Sequence, residues 1–173
     1  PTLNEIVFPA AILQPPFYHK SLDSIESYLD NDNELNITPK DDSILAANLG
    51  GIGAVIAHEI THGFDDQGRK FDSDGNLNNW WTEDDVKLFN LKCDKVKNIA
   101  KDYKYIAPSS NTDKESNVHK MNPELTMGEN LADLGGLSLA LKVLSKHLIN
   151  NTEYESKQVQ STYRVFFKSW ANI

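Results

Sequence analysis

The sequence predicts an α+β chain, mainly helical with a small sheet. Four stretches, near Gly50–Gly63, Thr82–Tyr105, Met127–Leu148 and Lys157–Trp170, repeat apolar residues at the three-to-four spacing of a helix. One short stretch, Glu5–Leu13, is apolar and partly β-branched, as strands are. The connections between them are dense in Asp, Asn, Gly and Pro, each a turn former for its own reason. With 173 residues the chain is long enough to bury a real core, and 1–173 is read as one domain.

In chain order, Glu5–Phe8 and Ala10–Leu13 read as a strand interrupted at Pro9 near a sheet edge, since proline gives a ladder no N–H. Pro15 and Pro16 then forbid a helix, so Gln14–Tyr18 is expected to be extended. From His19 to Ala47 the composition turns acidic and Asn-rich. A short helix is expected over Leu22–Leu29 and then a loop without apolar period, so 19–47 reads as a surface insertion. The next helix should begin between Asn48 and Gly51 and stop at Gly63. Beyond it, DDQGRKFDSDGNLNNWW predicts turns with at most a short hairpin. The DSDGN stretch is a plain turn rather than an EF-hand loop, whose sixth position must be glycine; counted from Asp72 that position is Leu77.

Thr82 followed by Glu83, Asp84 and Asp85 is a helix start, and Val86, Phe89, Val96, Ile99 and Ala100 carry that helix to about Tyr105. Ala107–Lys120 is polar. Met127 or Gly128 opens a helix whose apolar face is Leu131, Leu134, Leu137, Leu141 and Leu144, ending near Leu148. There Lys142, Lys146 and His147 meet its negative C-terminal end. A last helix covers about Lys157–Trp170.

The net charge of −8 provides no basic patch to displace counterions from phosphates, which argues against a nucleic-acid partner. Nothing longer than Gly50–Ala57 is continuously apolar, so neither a membrane span nor a signal peptide is expected within these residues. Cys93 is alone, which excludes an internal disulfide and a cysteine-type structural zinc site. The chain enters a strand-like run at once and stops within a helical pattern, so it reads as a fragment incomplete at both ends.

Chemistry concentrates in Gly50–Asp66, GGIGAVIAHEITHGFDD. On a helix His58 and His62 lie four apart on one face, where two imidazoles can converge on one metal ion. Zinc held so, with one position left for water, acidifies that water, and Glu59 beside the ligands can take its proton. Ile52, Val55, Ile56 and Ile60 form the apolar stripe of this helix. A catalytic zinc takes a third protein ligand. A glycine and a histidine three and six residues after His62 would mark one class, but Asp65 and Gly68 stand there. Glu83 lies about twenty residues downstream, yet Lys87 comes one turn after it and would repel a cation, so it reads as helix-start charge. Glu129 and Asp133 satisfy the geometry. They lie four apart on one helix, beside leucines that bury it, and two acids so placed are costly to desolvate without a cation.

HEITHGFDD followed by GENLADLGG, preceded by NEIVFPAAILQPPF and with WW between, resembles the neprilysin and endothelin-converting enzyme family of zinc endopeptidases. The resemblance runs from Thr2 to Ile173 except over His19–Ala47. It implies a thermolysin-like zincin catalytic lobe, one zinc ion and peptide substrates cleaved on the amino side of apolar residues. By motif it implies that His58, His62 and Glu129 are the zinc ligands, Glu59 the general base, and Asp133 a partner that orients His58 and assists proton transfer. Ile12, Phe17, Ala54 and Val55 match the family's apolar substrate pocket. The family's substrate-binding Asn-Ala-aromatic-Tyr strand falls before residue 1, and its oxyanion-stabilising His and substrate-clamping Arg fall after Ile173, so residues 1–173 alone are expected to be inactive. Cys93 matches a position that forms a disulfide with a C-terminal cysteine in some members, and with the sequons at Asn36 and Asn150 this leans towards an extracellular parent. The alternative from another class is a non-catalytic, zinc-stabilised peptide-binding module. A structural site, however, fills all four positions with protein ligands and has no use for Glu59. The oligomeric state is left open.

Overall fold

A computed structural model describes residues 2–28, 40–106, 118–150 and 154–173, with the side chains of 26–28 left aside. Five α-helices carry most of the described chain: α1 (Lys40–Asn48), α2 (Ala54–His62), α3 (Glu83–Ala100), α4 (Met127–Asn150) and α5 (Ser156–Ala171). A five-residue π-helical turn, Leu49–Gly53, joins α1 to α2. The one sheet among the described residues is an antiparallel hairpin of β1 (Lys104–Ile106) and β2 (Val118–Lys120), with Tyr105 opposite His119. The mainly helical fold with a small sheet is as expected, but the sheet lies elsewhere. Glu5–Phe8 forms no strand, and Ala10–Ile12 is a single 3-10 turn in which Ile12 N–H donates to Pro9 O at 3.1 Å. An apolar run becomes a strand only where another strand pairs with it, and among the described residues β1 and β2 pair only with each other. Gln14–Tyr18 is also a turn, with Phe17 and Tyr18 N–H both donating to Gln14 O at 3.0 Å, because proline removes a donor yet favours turn geometry.

The chain divides into two compact units. The first comprises Pro1–Asn4 and His62–Ala132, the second Glu5–Thr61 and Asp133–Ile173. The second unit holds a core of Ile25, Ala46, Ala47, Ala54, Ala140, Leu144, Leu148, Val165 and Phe166. Phe166 and Leu144 are fully buried, each worth about 1.5–3 kcal/mol of transfer free energy. α1 corrects the reading of 19–47 as a surface insertion. Ala46 and Ala47 are fully buried, as are His19 and Ile25, so both ends of that stretch contribute to the core, while 29–39 lies outside the described residues. Asp41 and Asp42 in the first turn of α1 suit the positive end of a helix, a signal hidden by the polar residues around it. Asp42 is buried and accepts from His147 Nε2 at 2.7 Å and from the Tyr154 hydroxyl, so His147 has a hydrogen-bond partner as well as a helix end. Lys40–His62 is long and apolar enough by composition to cross a membrane, with a mean hydropathy of 1.4, but its Ala46, Ala47 and Ala54 belong to this core. α4 enters the same unit through Gly135 and Gly136. A Cβ on Gly136 would stand 2.6 Å from His58 N and 2.8 Å from Ala54 O, so only glycine lets α4 pack on the backbone of α2 there.

In the first unit Thr82 caps α3, its hydroxyl accepting from Asp85 N–H at 3.2 Å. α3 stops at Ala100 rather than Tyr105, because β1 takes up the chain from Lys104. The Trp80–Trp81 pair is structural: Trp80 Nε1–H donates to Phe71 O at 2.9 Å, and Arg69 lies over the rings of Trp81 and Phe89. DSDGN is the expected turn, in which Asp72 Oδ1 accepts from the backbone N–H of Asp74 and Asn76. These bonds, that from Asn76 first, hold the Asp72 carboxyl below its ordinary range. Cys93 is buried; burial and then the nearby Asp66 charge push its thiol up.

Candidate metal centre and cleft

α2 runs from Ala54 to His62, so His58, Glu59 and His62 fall on one unbroken helix, and α4 carries Glu129 and Asp133 one turn apart. His58 Nδ1 donates to Asp133 Oδ1 at 2.9 Å. A carboxylate only accepts, so the proton of the neutral ring sits on Nδ1 and the Nε2 lone pair faces the other way. His62 is held in the same manner by a residue that the sequence pattern did not single out. Its Nδ1 donates to Asp65 Oδ2 at 2.7 Å, and Asp65 is buried. Asp65 Oδ1 also accepts from Gln67 N–H at 2.8 Å and Gly68 N–H at 2.7 Å, so the loop that ends α2 is folded around this carboxylate. The available signal was a carboxylate three residues after a proposed ligand, within reach of that ring at the end of a helix.

Glu129 is in the first turn of α4 and its Oε2 lies 3.5 Å from His62 Nε2. With the His62 proton on Nδ1, this approach sets one lone pair against another, an arrangement that a shared cation makes favourable. The opening of α4 is close to the α2 loop in the same unit: a Cβ on Gly128 would lie 3.1 Å from Asp65 Oδ2 and 3.3 Å from Asp66 Oδ1. Negative charge there suits the positive end of the helix. Glu83 stands in the first turn of α3 with Asp84 and Asp85, as helix-start charge.

In the second unit a cleft of about 430 Å³ is lined by Phe17, Val55, His58, Glu59, Asp133, Trp170 and Ile173. Of the four expected pocket residues, Phe17 and Val55 line it. Ala54 is fully buried in the core, and Ile12 is half-buried outside the lining. Trp170 and Ile173 were not singled out from the sequence, because nothing in the pattern of α5 separates a cleft-facing aromatic from a core one. The cleft therefore sets the Glu59 carboxylate beside an apolar wall.

A model of peptidase family M13 matches residues 40–173. Over its whole length the chain is 38% identical to Neprilysin-11 of Caenorhabditis elegans, of which it covers 17%, and 38% identical to Endothelin-converting enzyme 1 of Homo sapiens, of which it covers 19%. Two solved structures share the fold. Zinc metalloprotease ZMP1 of Mycobacterium tuberculosis, in complex with an inhibitor, is 38% identical with a TM-score of 0.65, over 98% of this chain and 22% of that one. PEPO from Lactobacillus rhamnosis is 31% identical with a TM-score of 0.60, over 94% and 20%. The chain thus spans about a fifth of the length of these relatives. The resemblance read from HEITHGFDD and GENLADLGG is borne out by all of them: the chain belongs to peptidase family M13.

Proposed function

We propose that this chain carries the metal centre and one wall of the substrate cleft of a zinc metalloendopeptidase, with His58, His62 and Glu129 holding one zinc ion. The observation that supports it most is the pairing of both histidines through Nδ1, with Asp133 and Asp65, so that each keeps Nε2 for a cation. His58, His62 and Glu129 are of the composition that a zinc site takes, two imidazoles and a carboxylate. Bound there, zinc supplies Lewis acidity, lowering the pKa of water towards about 7 and polarising a carbonyl.

Glu59 is the general base. It lines the cleft next to His58, accepts a proton from the attacking water and delivers it to the departing amine. Asp133 fixes the His58 tautomer and, lining the same cleft, can help to hold that proton. Asp65 does the same for the tautomer of His62. Phe17, Val55, Trp170 and Ile173 offer an apolar surface beside Glu59, which suits an apolar side chain just after the scissile bond. Peptides are then the substrates, cut on the amino side of apolar residues. The names of the relatives, a zinc metalloprotease and a converting enzyme among them, support this reading. In the full-length protein, chelation should abolish cleavage of such peptides and added zinc should restore it. Cleavage that survives complete removal of metal overturns the proposal.

A further inference from the structure

Phe17, one wall of the cleft, lies on a stretch with no regular secondary structure of its own, for Tyr18 and His19 belong to neither helix nor strand. Its N–H is held by the turn through Gln14 O, and its carbonyl and the residues after it are held from the other side. The Asn48 carboxamide pairs with His19 as a second peptide would: His19 N–H donates to Asn48 Oδ1 at 2.7 Å and Asn48 Nδ2 donates to His19 O at 2.8 Å. Two residues earlier Ile52 N–H donates to Phe17 O at 2.7 Å. Three hydrogen bonds therefore fasten residues 17 and 19 to the π-helical turn and the residue before it, which lead directly into α2. π turns within helices are frequent at functional sites, where they change the direction in which the next side chains point.

The turn is itself wedged. A Cβ on Gly51 would stand 2.4 Å from Phe17 O, and one on Gly50 would stand 2.2 Å from Phe166 O in α5, the helix that supplies Trp170. The same five residues thus set the distances of Phe17 and of α5 from Val55 and Glu59. We infer that Asn48 is a positioning residue that sets the cleft's selectivity for apolar side chains by fixing Phe17. His19 is 1% exposed and its Nε2 donates to Pro16 O at 3.0 Å, so the clamped end of the stretch is anchored and the clamp acts on the Phe17 side.

This inference rests on the proposed peptidase reading, and the test separates the two. In the full-length protein, kcat and KM are measured on two peptides that differ only in having Phe or Ala after the scissile bond, alongside zinc content and melting temperature. Asn48→Ala should lower the Phe-over-Ala preference at least about fivefold through KM for the Phe peptide, of the order that small changes in an apolar pocket produce, with zinc content unchanged. Asn48→Asp keeps the acceptor for His19 N–H and loses only the donor to His19 O, so it should fall between wild type and Asn48→Ala, and it decides the matter alone if Asn48→Ala does not fold. A folded Asn48 variant that keeps the wild-type preference, while Phe17→Ala changes it, overturns the inference and leaves the peptidase reading standing. A wild-type protein that cleaves neither peptide overturns both.

Discussion

Asp65→Asn should weaken zinc binding more than Asp133→Asn, although both carboxylates hold a proposed ligand through the same ring nitrogen. The difference lies in how many donors each meets and how wet it is. Asp133 accepts from His58 Nδ1 with a side chain 52% exposed, so an asparagine there can turn its carbonyl oxygen to the histidine and its amide to water. What is lost is charge, which solvent already screens, and a loss of about tenfold in zinc affinity is expected, the low end for such partners. Asp65 has a side chain 8% exposed and meets three donors, His62 Nδ1–H on one oxygen and the N–H of Gln67 and Gly68 on the other. An asparagine has one carbonyl oxygen for two sides. Either its NH₂ faces Nδ1–H of His62, driving that ring to the tautomer whose Nε2 carries the proton and cannot bind metal, or it faces two backbone N–H groups. A buried donor left without an acceptor costs about 1–3 kcal/mol. The expected loss is therefore about 100-fold in zinc affinity together with lower stability of the metal-free protein. Competition against a zinc chelator, paired with thermal unfolding of the metal-free forms, measures both. If Asp133→Asn loses as much zinc affinity as Asp65→Asn, or Asp65→Asn is indistinguishable from wild type, the account of Asp65 is refuted.

Glu129→Ala should lower zinc affinity by at least about tenfold while Glu83→Ala leaves it unchanged, as read by the same chelator competition; the reverse order would move the third ligand to α3. Gly136→Ala places a methyl group against the backbone of His58 and Ala54, and overpacking of this kind costs about 1–3 kcal/mol, visible as a lower denaturation midpoint. Cys93 should resist alkylation at neutral pH until the protein unfolds, because burial and Asp66 keep it a protonated thiol; rapid labelling of the native protein would contradict its placement.

The features legible in the sequence were those whose signal is local. Thr82 with three acids after it marked the start of α3, the leucine period marked α4, and the i, i+4 spacings of His58 with His62 and of Glu129 with Asp133 put the metal-binding candidates on two helices. Features that depend on a distant partner were not legible. Glu5–Leu13 has the composition of a strand, but nothing within it says whether a second strand lies alongside. Lys40–Asn48 looked solvated because the residues that bury it, such as Ser169, whose hydroxyl donates to Ala47 O at 2.7 Å, are 122 positions away. Asp65 sat in a run read as turn-forming, where its hydrogen bonds to Gln67 and Gly68 do serve the turn; its second oxygen, which serves His62, leaves no separate trace in the pattern. Trp170 and Phe166 share one helix and one chemical type, yet one lines the cleft and the other is in the core, a distinction set by how α5 packs.

The most direct test of the central claim is to measure bound zinc and peptide hydrolysis side by side in the full-length wild type and its Glu59→Gln variant. The substitution keeps the shape of the side chain, removes its basicity and touches none of the proposed ligands. The account predicts one equivalent of zinc in both proteins and a loss of hydrolysis of at least about 10²–10⁴ in the variant, the range of general-base assistance. Glu59→Gln that hydrolyses peptides at the wild-type rate, or a wild type that hydrolyses them without zinc, would contradict it.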